Sequence, residues 1–377
     1  MLKYISAFLL LPSILFGATV FVDPGTVEAG ATWDGVNGHS YSCAVGTGTG
    51  YTSLQAAIWG TNGTNPGADA GDTIYLRGGT YQEGYGTGDE PTAMEVSDNL
   101  NGTAWTAGNY TTIASYPGEW AIINGSTSGY YFALGYGGLS WSSGAGSLAY
   151  IKFERLGITG GSSGGLGAKG GPIWVRYCYI YENGKGALGD GNRGGIHAMR
   201  LKESIIEYNY FYNNSGTDDH NKNHIVIYAD YMYDDVLSEG TPRYYWDFCN
   251  RDNEIKYNYF GPGAHSAYHD KGAQYLSTFD NYGSSGINTD VTRQTNGNDI
   301  HHNIFIGQTC SIYYNQEFEQ VYNNITDSRI SEPYENLSKF ARCVYNNTVI
   351  GDGIIDDVDD DYSYDSLALR AYIVNNI

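Results

Sequence analysis

The sequence predicts an all-β protein folded as a right-handed parallel β-helix, and three observations support this: a repeated phrase, its spacing and the composition. The phrase consists of an aromatic residue, Val or His, then Asn, then an aromatic residue, Asn or Ile, and mostly an apolar residue. Its copies are assigned to Asn209, Asn258, Asn303, Asn323, Asn346 and Asn375, with Cys178 in the Asn position of an earlier copy. Repetition every few tens of residues is typical of solenoids.

The spacing of the copies indicates the size of one coil. The last three steps are 20, 23 and 29 residues, which suits a coil of three short strands. The first two steps are 49 and 45 residues, and each indicates two coils or one coil with a long insertion. Asn side chains at the same place in successive coils are expected to stack and to bond the backbone at a tight bend. A β-sandwich with Asn-rich turns is the alternative, and it requires six phased copies by coincidence.

Composition supports the same fold class and limits the partners. Gly accounts for 52 and Tyr for 36 of the 377 residues, and only 16% are charged. This composition favours short strands and turns over long amphipathic helices, and it predicts one continuous domain over 19–377. The formal charge of −21 makes nucleic acid an improbable partner. It also repels acidic polysaccharides unless a basic patch or a cation intervenes.

The two chain ends carry separate expectations. Residues 1–18 combine Lys3, an apolar run over 4–16 and Gly17-Ala18, which predicts a signal peptide and a secreted or cell-surface protein without a remaining membrane span. The last copy of the phrase stops at Ile377 without a cap, so we expect the β-helix to be incomplete there. The alternative is a last coil that the acidic segment 352–365 covers.

The amino end predicts how the solenoid begins. A strand starts at Thr19, a short helix follows Ser53 as its N-cap, and the segment 71–81 reads as further strands. Such a helix would cover the open end of the first coil.

These motifs carry a resemblance to a known family. The series VFVDP, YTSLQAAI and GDTIYLRGGTY resembles the start of the pectate-lyase-like right-handed β-helix proteins, most closely the chondroitinase B/alginate lyase group of polysaccharide lyases. The resemblance implies a lyase that acts on acidic polysaccharides. It also implies a base lysine with an arginine about one coil later, which corresponds here to Lys271 and Arg293, 22 residues apart.

The chemistry of uronate β-elimination explains this pair. A base removes the proton at C5 beside a carboxylate, whose charge must be neutralised in the carbanion-like state. Lysine acts as a base when nearby positive charge and desolvation lower its pKa. Arginine stays protonated and grips a carboxylate bidentately.

The remaining site predictions lie in the two long steps, in 216–224 and 264–272, because solenoid insertions commonly form binding surfaces. The positions that correspond to the family's calcium ligands hold Ala264 and Ser266, so bound calcium depends on other residues. Neighbouring His and Asp residues are expected to neutralise charge or shuttle protons, and other residues to bind sugar or calcium. These predicted residues are His269 and Asp270 for catalysis, His265, Tyr268 and Tyr228 for substrate, and Asp218 and Asp219 for calcium.

Two other functions stay open at this level. One is a non-enzymatic exported β-helix that binds glycans, adheres to surfaces or self-associates into filaments. The other is a glycoside hydrolase on the same fold, with its carboxylates drawn from Asp218, Asp219 and Asp270.

Overall fold

A computed structural model provides the coordinates. It describes residues 19–22, 48–51, 53–59, 67–83, 92–96, 100, 110–125, 130–136, 148–185, 193–199, 201–214, 222–228, 252–264, 266–270, 298–307, 310–313, 320–327, 329–331, 343–350, 355–356 and 372–374.

Three parallel sheets make up the fold, and each receives one strand from every coil. Sheet 1 contains β1 (Thr19–Val22), β2 (Gly48–Tyr51), β3 (Thr73–Leu76), β6 (Thr111–Ser115), β9 (Ile151–Glu154), β12 (Ile173–Arg176), β15 (Ile205–Glu207), β18 (Glu254–Lys256), β21 (Asp299–His301), β24 (Gln320–Tyr322), β27 (Cys343–Tyr345) and β30 (Tyr372–Val374). Sheet 2 contains β4 (Gly79–Tyr81), β7 (Ala121–Asn124), β10 (Leu156–Thr159), β13 (Tyr179–Tyr181), β16 (Tyr210–Tyr212), β19 (Tyr259–Phe260), β22 (Ile304–Phe305), β25 (Ile325–Thr326) and β28 (Thr348–Val349). Sheet 3 contains β5 (Thr92–Val96), β8 (Phe132–Tyr136), β11 (Gly164–Lys169), β14 (Arg193–Met199), β17 (Lys222–Tyr228), β20 (Ser266–Asp270), β23 (Cys310–Tyr313), β26 (Arg329–Ser331) and β29 (Ile355–Asp356).

The order of the strands confirms a parallel β-helix. From β3 onward each strand pairs with the strand three elements later, which belongs to the next coil, and every pairing is parallel. The right-handed sense stays a prediction, and the preference of parallel crossovers for that hand favours it.

The predicted capping helix is confirmed. Helix α1 (Leu54–Trp59) packs its apolar face against β1, β2 and β5, at the amino end of sheets 1 and 3. The Ser53 hydroxyl accepts a hydrogen bond from the Ala56 N–H (3.0 Å), and the Glu83 carboxylate accepts from the first two helical N–H groups (2.7 and 2.9 Å). These acceptors satisfy N–H groups that a helix start leaves open. Strand β2 was not predicted, because its glycine-rich sequence reads as a loop.

The tightest corner lies between sheets 1 and 2. In most coils it consists of two residues, of which the first adopts a left-handed conformation and the second is a buried Asn. The first position has φ of 54–55° at Tyr177, Tyr208, Tyr257, His302, Asn323 and Asn346. The second position holds Cys178, Asn209, Asn258, Asn303, Asn324 and Asn347. Each coil therefore turns the same corner with the same geometry, and the side chains of successive coils come into line.

The buried Asn side chains form a continuous ladder. Asn324 shows the repeating pattern: its Oδ1 accepts from the backbone N–H and the Nδ2 of Asn303 (2.9 and 3.1 Å). Its Nδ2 donates to the Ile300 carbonyl (2.9 Å) and to Asn347 Oδ1 (3.0 Å), and its own N–H donates to the same oxygen (3.0 Å). Stacked Asn side chains bonding the bend were expected, and the bonds confirm this.

The phase predicted for two late copies was wrong. The phrase aligns Asn323 and Asn346 with Asn209, but the ladder contains Asn324 and Asn347 instead. In these copies both corner residues are Asn, because Asn tolerates the left-handed conformation as well as the buried position. The steps along the ladder are therefore 49, 45, 21 and 23 residues.

The interior is filled by rows of apolar side chains from successive coils. One row of sheet 1 contains Val175, Ile206, Ile255, Ile300, Val321 and Val344, all at most 1% exposed. In sheet 2 the rings of Phe211, Phe260 and Phe305 stack with centroids 4.7 and 4.9 Å apart. Burial of these rows is the main stabilising contribution, since each coil alone has no closed core.

Candidate functional site

The two long insertions leave the coil from neighbouring strands. The segments 229–251 and 271–297 begin directly after β17 and β20, which pair with each other in sheet 3. The corner between sheets 1 and 2, by contrast, stays at two residues in these coils. In the sequence, the additional residues of both long steps therefore follow strands of sheet 3. The predicted segments 216–224 and 264–272 overlap β17 and β20, and their role as a site stays a prediction.

Strand register brings several predicted site residues to one place. His269 pairs with Val226, and Asp270 pairs with Ile227, the residue before Tyr228. His269 belongs to the row that continues to His197. Lys271 directly follows this paired segment in the sequence.

The register also separates the predicted residues. Tyr268 and Asp270 occupy register positions that Ile225 and Ile227 hold in β17, and both isoleucines are fully buried in the core. Because neighbouring strand residues alternate between faces, the His269 position belongs to the outer face of sheet 3. Of the predicted residues in β20, the register thus favours His269 for the outer face.

The outer face of sheet 3 is shielded from solvent near this point. Alternation places His197, Val226 and Lys169 on that face, yet they are only 5%, 0% and 1% exposed. The His197 ring meets the edge of Phe132, with centroids 5.5 Å apart. Lys169 and His197 were not singled out in the sequence, because they lie in glycine-rich stretches without the repeated phrase.

Several predicted site residues lie outside the described residues. They are Lys271, Arg293, His265, Asp218 and Asp219, together with the signal segment 1–18. For Tyr228, Tyr268, His269 and Asp270 the backbone is described. Their assignments stay predictions.

Two searches of the described part of the chain were negative. Within it, no three His, Cys, Asp or Glu side chains are grouped so as to hold a metal ion. No helix there is long and apolar enough to cross a membrane.

The structure describes one histidine of the first long step, His224, and its role is structural. His224 is fully buried; its Nδ1 lies 3.0 Å from Asn214 Nδ2 and its Nε2 lies 2.7 Å from the Gly261 carbonyl oxygen. Asn214 in turn bonds Asn183, so the imidazole continues a second, shorter ladder at the corner between sheets 2 and 3. Burial lowers the pKa of His224 to about 4, and the neutral ring both donates and accepts.

This burial makes the stability depend on pH. The folded His224 has a pKa below the unfolded value of about 6.5, so the unfolded state binds the proton first and stability falls as the pH drops from 6.5 towards 4. We expect His224 to remove about 2 kcal/mol of stability between pH 7 and pH 5. Urea unfolding at both pH values checks this. His224→Gln, which keeps one donor and one acceptor but does not titrate, should show a smaller pH difference; an equal difference would contradict the assignment.

A second group of titratable residues lies on the outer face of sheet 1. Its central row contains Glu154, Arg176, Glu207, Lys256 and His301, each paired in register with the next. From Arg176 onward, each residue of this row lies two positions before a residue of the Asn ladder. Aligning the coils on the ladder would therefore have revealed the row, but the repeated phrase begins one residue after the row position and so leaves it out.

In the carboxyl-terminal half of this row, Lys256 and His301 both bond to the neighbouring Glu254. Glu254 accepts from Lys256 Nζ (2.7 Å) and lies 2.9 Å from His301 Nε2, while His301 Nδ1 lies 2.7 Å from His302 Nδ1. Burial alone would raise the pKa of Glu254, but the bonds from Lys256 and His301 hold it below its usual value. Burial lowers the pKa of His301, although Glu254 opposes this. Both imidazole nitrogens of His301 are engaged, so this group ties adjacent coils together and offers no free base.

Exposed tyrosines form stacks at the corner beside this row. The rings of Tyr177, Tyr208 and Tyr257 stack with centroids 5.2 and 5.0 Å apart, and each residue is more than 40% exposed. The faces of these rings cover one another, so the ring edges are exposed to solvent. Between these tyrosines no ring face is open for a sugar to pack against.

Comparison with known proteins yields similarity at the level of the fold. No family model and no curated protein matches the chain. Similar solved structures include a PL6-family alginate lyase, AlyGC, at 12% identity and TM-score 0.41, and a point mutant of it at 13% and 0.40. For both, the similarity covers 75% of this chain and only 33% of the other, so this chain spans about a third of their length. The pectate lyase Pel9A has 11% identity and TM-score 0.48, over 96% of this chain and 77% of its own.

These values describe distant structural similarity and no more. The fold itself is established by the three parallel sheets, and the activities of AlyGC and Pel9A are facts about those proteins.

Proposed function

We propose that this protein is a secreted polysaccharide-active β-helix protein that cleaves uronic-acid polysaccharides by β-elimination. Lys271 acts as the base and Arg293 binds the uronate carboxylate. The observation that supports this most is the register of sheet 3, which sets His269 and Asp270 beside the end of β17 and lets both long insertions start from adjacent strand ends. A β-helix binds long chains along such a surface because successive coils repeat it.

The reaction divides between these residues as follows. The Lys271 amine takes the C5 proton, the electron pair forms the C4–C5 double bond, and the C4–O bond breaks. The leaving oxygen takes up a proton, for which His269 is the nearby donor in our proposal, because its register position lies on the outer face of sheet 3 whereas those of Tyr268 and Asp270 continue core rows. His265 and Tyr228 contact the sugar. The guanidinium of Arg293 neutralises the carboxylate and disfavours a charged Lys271.

Calcium and export belong to the same proposal. Asp218 and Asp219 supply carboxylate oxygens of the kind that calcium prefers, and a bound cation would offset the repulsion between a chain of charge −21 and a polyuronide. Export through the segment 1–18 brings the protein to its substrate.

The test is the absorbance of unsaturated product near 235 nm during incubation with alginate, pectate and chondroitin, with calcium and with a chelator. We expect absorbance to rise on at least one substrate, and Lys271→Ala to lower the rate at least about a hundredfold, since the base is lost. Lys185→Ala is the matched control, because Lys185 is 43% exposed and pairs with Glu182 in the segment after β13, away from sheet 3 in the sequence. Absence of product from all three polymers under both conditions would sink the proposal.

A further inference from the structure

A compact cationic cluster lies on the outer face of sheet 1, in the coils of β9 and β12. Lys152, Arg155 and Arg176 converge on the single carboxylate of Glu154. Arg176 Nε and Nη2 donate to Glu154 Oε2 (3.0 and 2.9 Å). Lys152 Nζ lies 3.5 Å from the same oxygen, and Arg155 Nη1 lies 3.4 Å from Glu154 Oε1. We call these four residues, with Trp174, the Glu154 cluster.

The charges of the cluster do not balance. Three cations surround the Glu154 carboxylate, and the next carboxylate of the row, Glu207, lies 3.8 Å from Lys256. Burial would raise the pKa of Glu154, but bonds and charge from Arg176, Lys152 and Arg155 outweigh it and hold the pKa below its usual value. Among the described residues, positive charge is therefore in excess around Glu154, in a chain whose formal charge is −21. In the Glu254 half of the row, by contrast, the single cation Lys256 faces both Glu254 and Glu207.

The cationic groups are held in place before any ligand arrives. The Arg176 guanidinium lies over the Trp174 ring, 4.4 Å from its centroid, and 5.6 Å from the centroid of Tyr177. Trp174 is itself fixed, since its Nε1 donates to Glu207 Oε1 (3.0 Å). Lys152 Nζ lies 5.6 Å from the same indole ring. A guanidinium fixed between a carboxylate and two rings loses little further freedom on binding.

The same groups remain accessible. The side chains of Lys152, Arg155 and Arg176 are 19%, 37% and 24% exposed, whereas Glu154 is 12% exposed. Arg176 uses Nε and Nη2 on Glu154, so its Nη1 edge points to no partner within the described part of the chain. Donors in a fixed planar fork next to an indole ring suit an oxyanion carried on a flat apolar body.

We propose that the Glu154 cluster is a second binding surface for acidic polysaccharide, which receives the carboxylate of a uronic-acid residue. The surface lies on sheet 1, on a different face of the coil from the proposed cleavage site on sheet 3. It rests on the proposed function only for the class of ligand. Its role is to hold the polymer on a protein whose overall charge repels it, so that cleavage can proceed elsewhere on the same chain.

The test is isothermal titration of the Lys271→Ala protein, which does not cleave, with an oligogalacturonate of defined length and with a neutral β-glucan oligomer. Arg176→Gln and Arg155→Gln should each weaken oligogalacturonate binding about five- to tenfold. Glu154→Gln should strengthen it about fivefold, because it removes the competing carboxylate. The neutral oligomer should show no such changes. Lys185→Gln changes the net charge by the same amount on another sheet and should alter binding less than about twofold.

Two results would overturn the inference: equal weakening by Lys185→Gln and Arg176→Gln, or no gain in affinity from Glu154→Gln. Arg155→Gln is the second variant, since Arg155 is the most exposed of the three cations; besides its 3.4 Å contact with Glu154 it loses one hydrogen bond, from Nη2 to the Ser115 carbonyl (3.2 Å). Far-ultraviolet circular dichroism of each variant checks that it is folded. The two proposals fail separately. Lyase product is measured separately, on the protein that retains Lys271. Loss of affinity in the Arg variants together with no product from that protein would retain the binding surface and reject the lyase, whereas unchanged affinity together with product would do the reverse.

Discussion

Replacing Asn324 with alanine lowers the free energy of unfolding by about 3 to 5 kcal/mol. Asn324 takes part in five hydrogen bonds that link three successive coils, and it is 1% exposed. Alanine leaves the Asn303 N–H and the Ile300 carbonyl without these partners in the interior, and each buried unsatisfied group costs about 1 to 3 kcal/mol. Urea unfolding followed by far-ultraviolet circular dichroism measures the difference.

The neighbouring Asn323 is the matched control. It is exposed, it has φ of 55°, and within the described part of the chain its side chain bonds to His302 alone, with Nδ2 and Nε2 3.4 Å apart. Asn323→Ala should cost about 1 kcal/mol, because alanine tolerates the left-handed conformation less well than Asn does. Equal losses for the two variants would contradict the corrected phase of the ladder.

The second large effect concerns a glycine of sheet 3. Gly135 has φ of 147° and pairs with Gly167, and a Cβ at this position would overlap the Gly167 carbonyl oxygen. Because the obstacle is backbone of the adjacent strand, no rotamer change relieves it, and β8 and β11 must move apart. We expect Gly135→Ala to destabilise the protein by about 4 kcal/mol.

Gly118 provides the comparison for Gly135. It also has positive φ, 84°, but a Cβ there would meet no atom within 4 Å. Gly118→Ala should therefore cost about 1 kcal/mol, from backbone strain alone. Thermal unfolding of the two variants side by side separates strain from steric overlap. Similar melting temperatures for the two variants would show that β11 moves away from β8 without a loss of stability.

The Asn phrase was sufficient to predict the solenoid because the same corner recurs in every coil and demands the same side chain. The phrase predicted the phase of Asn209, Asn258 and Asn303, where the left-handed residue is Tyr or His. It was ambiguous at Asn323-Asn324, where either residue satisfies the pattern. Only the hydrogen bonds between coils distinguish them.

The candidate sites show the same division. The two long steps drew attention to the stretches that contain β17 and β20, because an insertion alters the spacing of the repeat, and a site there stays a prediction. Their pairing places His269 in an outer row and Asp270 in line with Ile227, which is a matter of register. The Glu154 cluster had no sequence signal, since Glu154 and Arg176 are 22 residues apart and meet only when coils stack.

The sequence by itself thus determined the repeat, the all-β class, the capping helix and the two steps that contain additional residues. These features depend on periodicity and on local turn chemistry, and both can be read from the order of residues along the chain. The tertiary structure decided which Asn faces inward, which register row contains His269 and where three cations gather on one carboxylate. These depend on the offset between neighbouring coils, because in a parallel stack every lateral contact joins residues one coil apart in sequence.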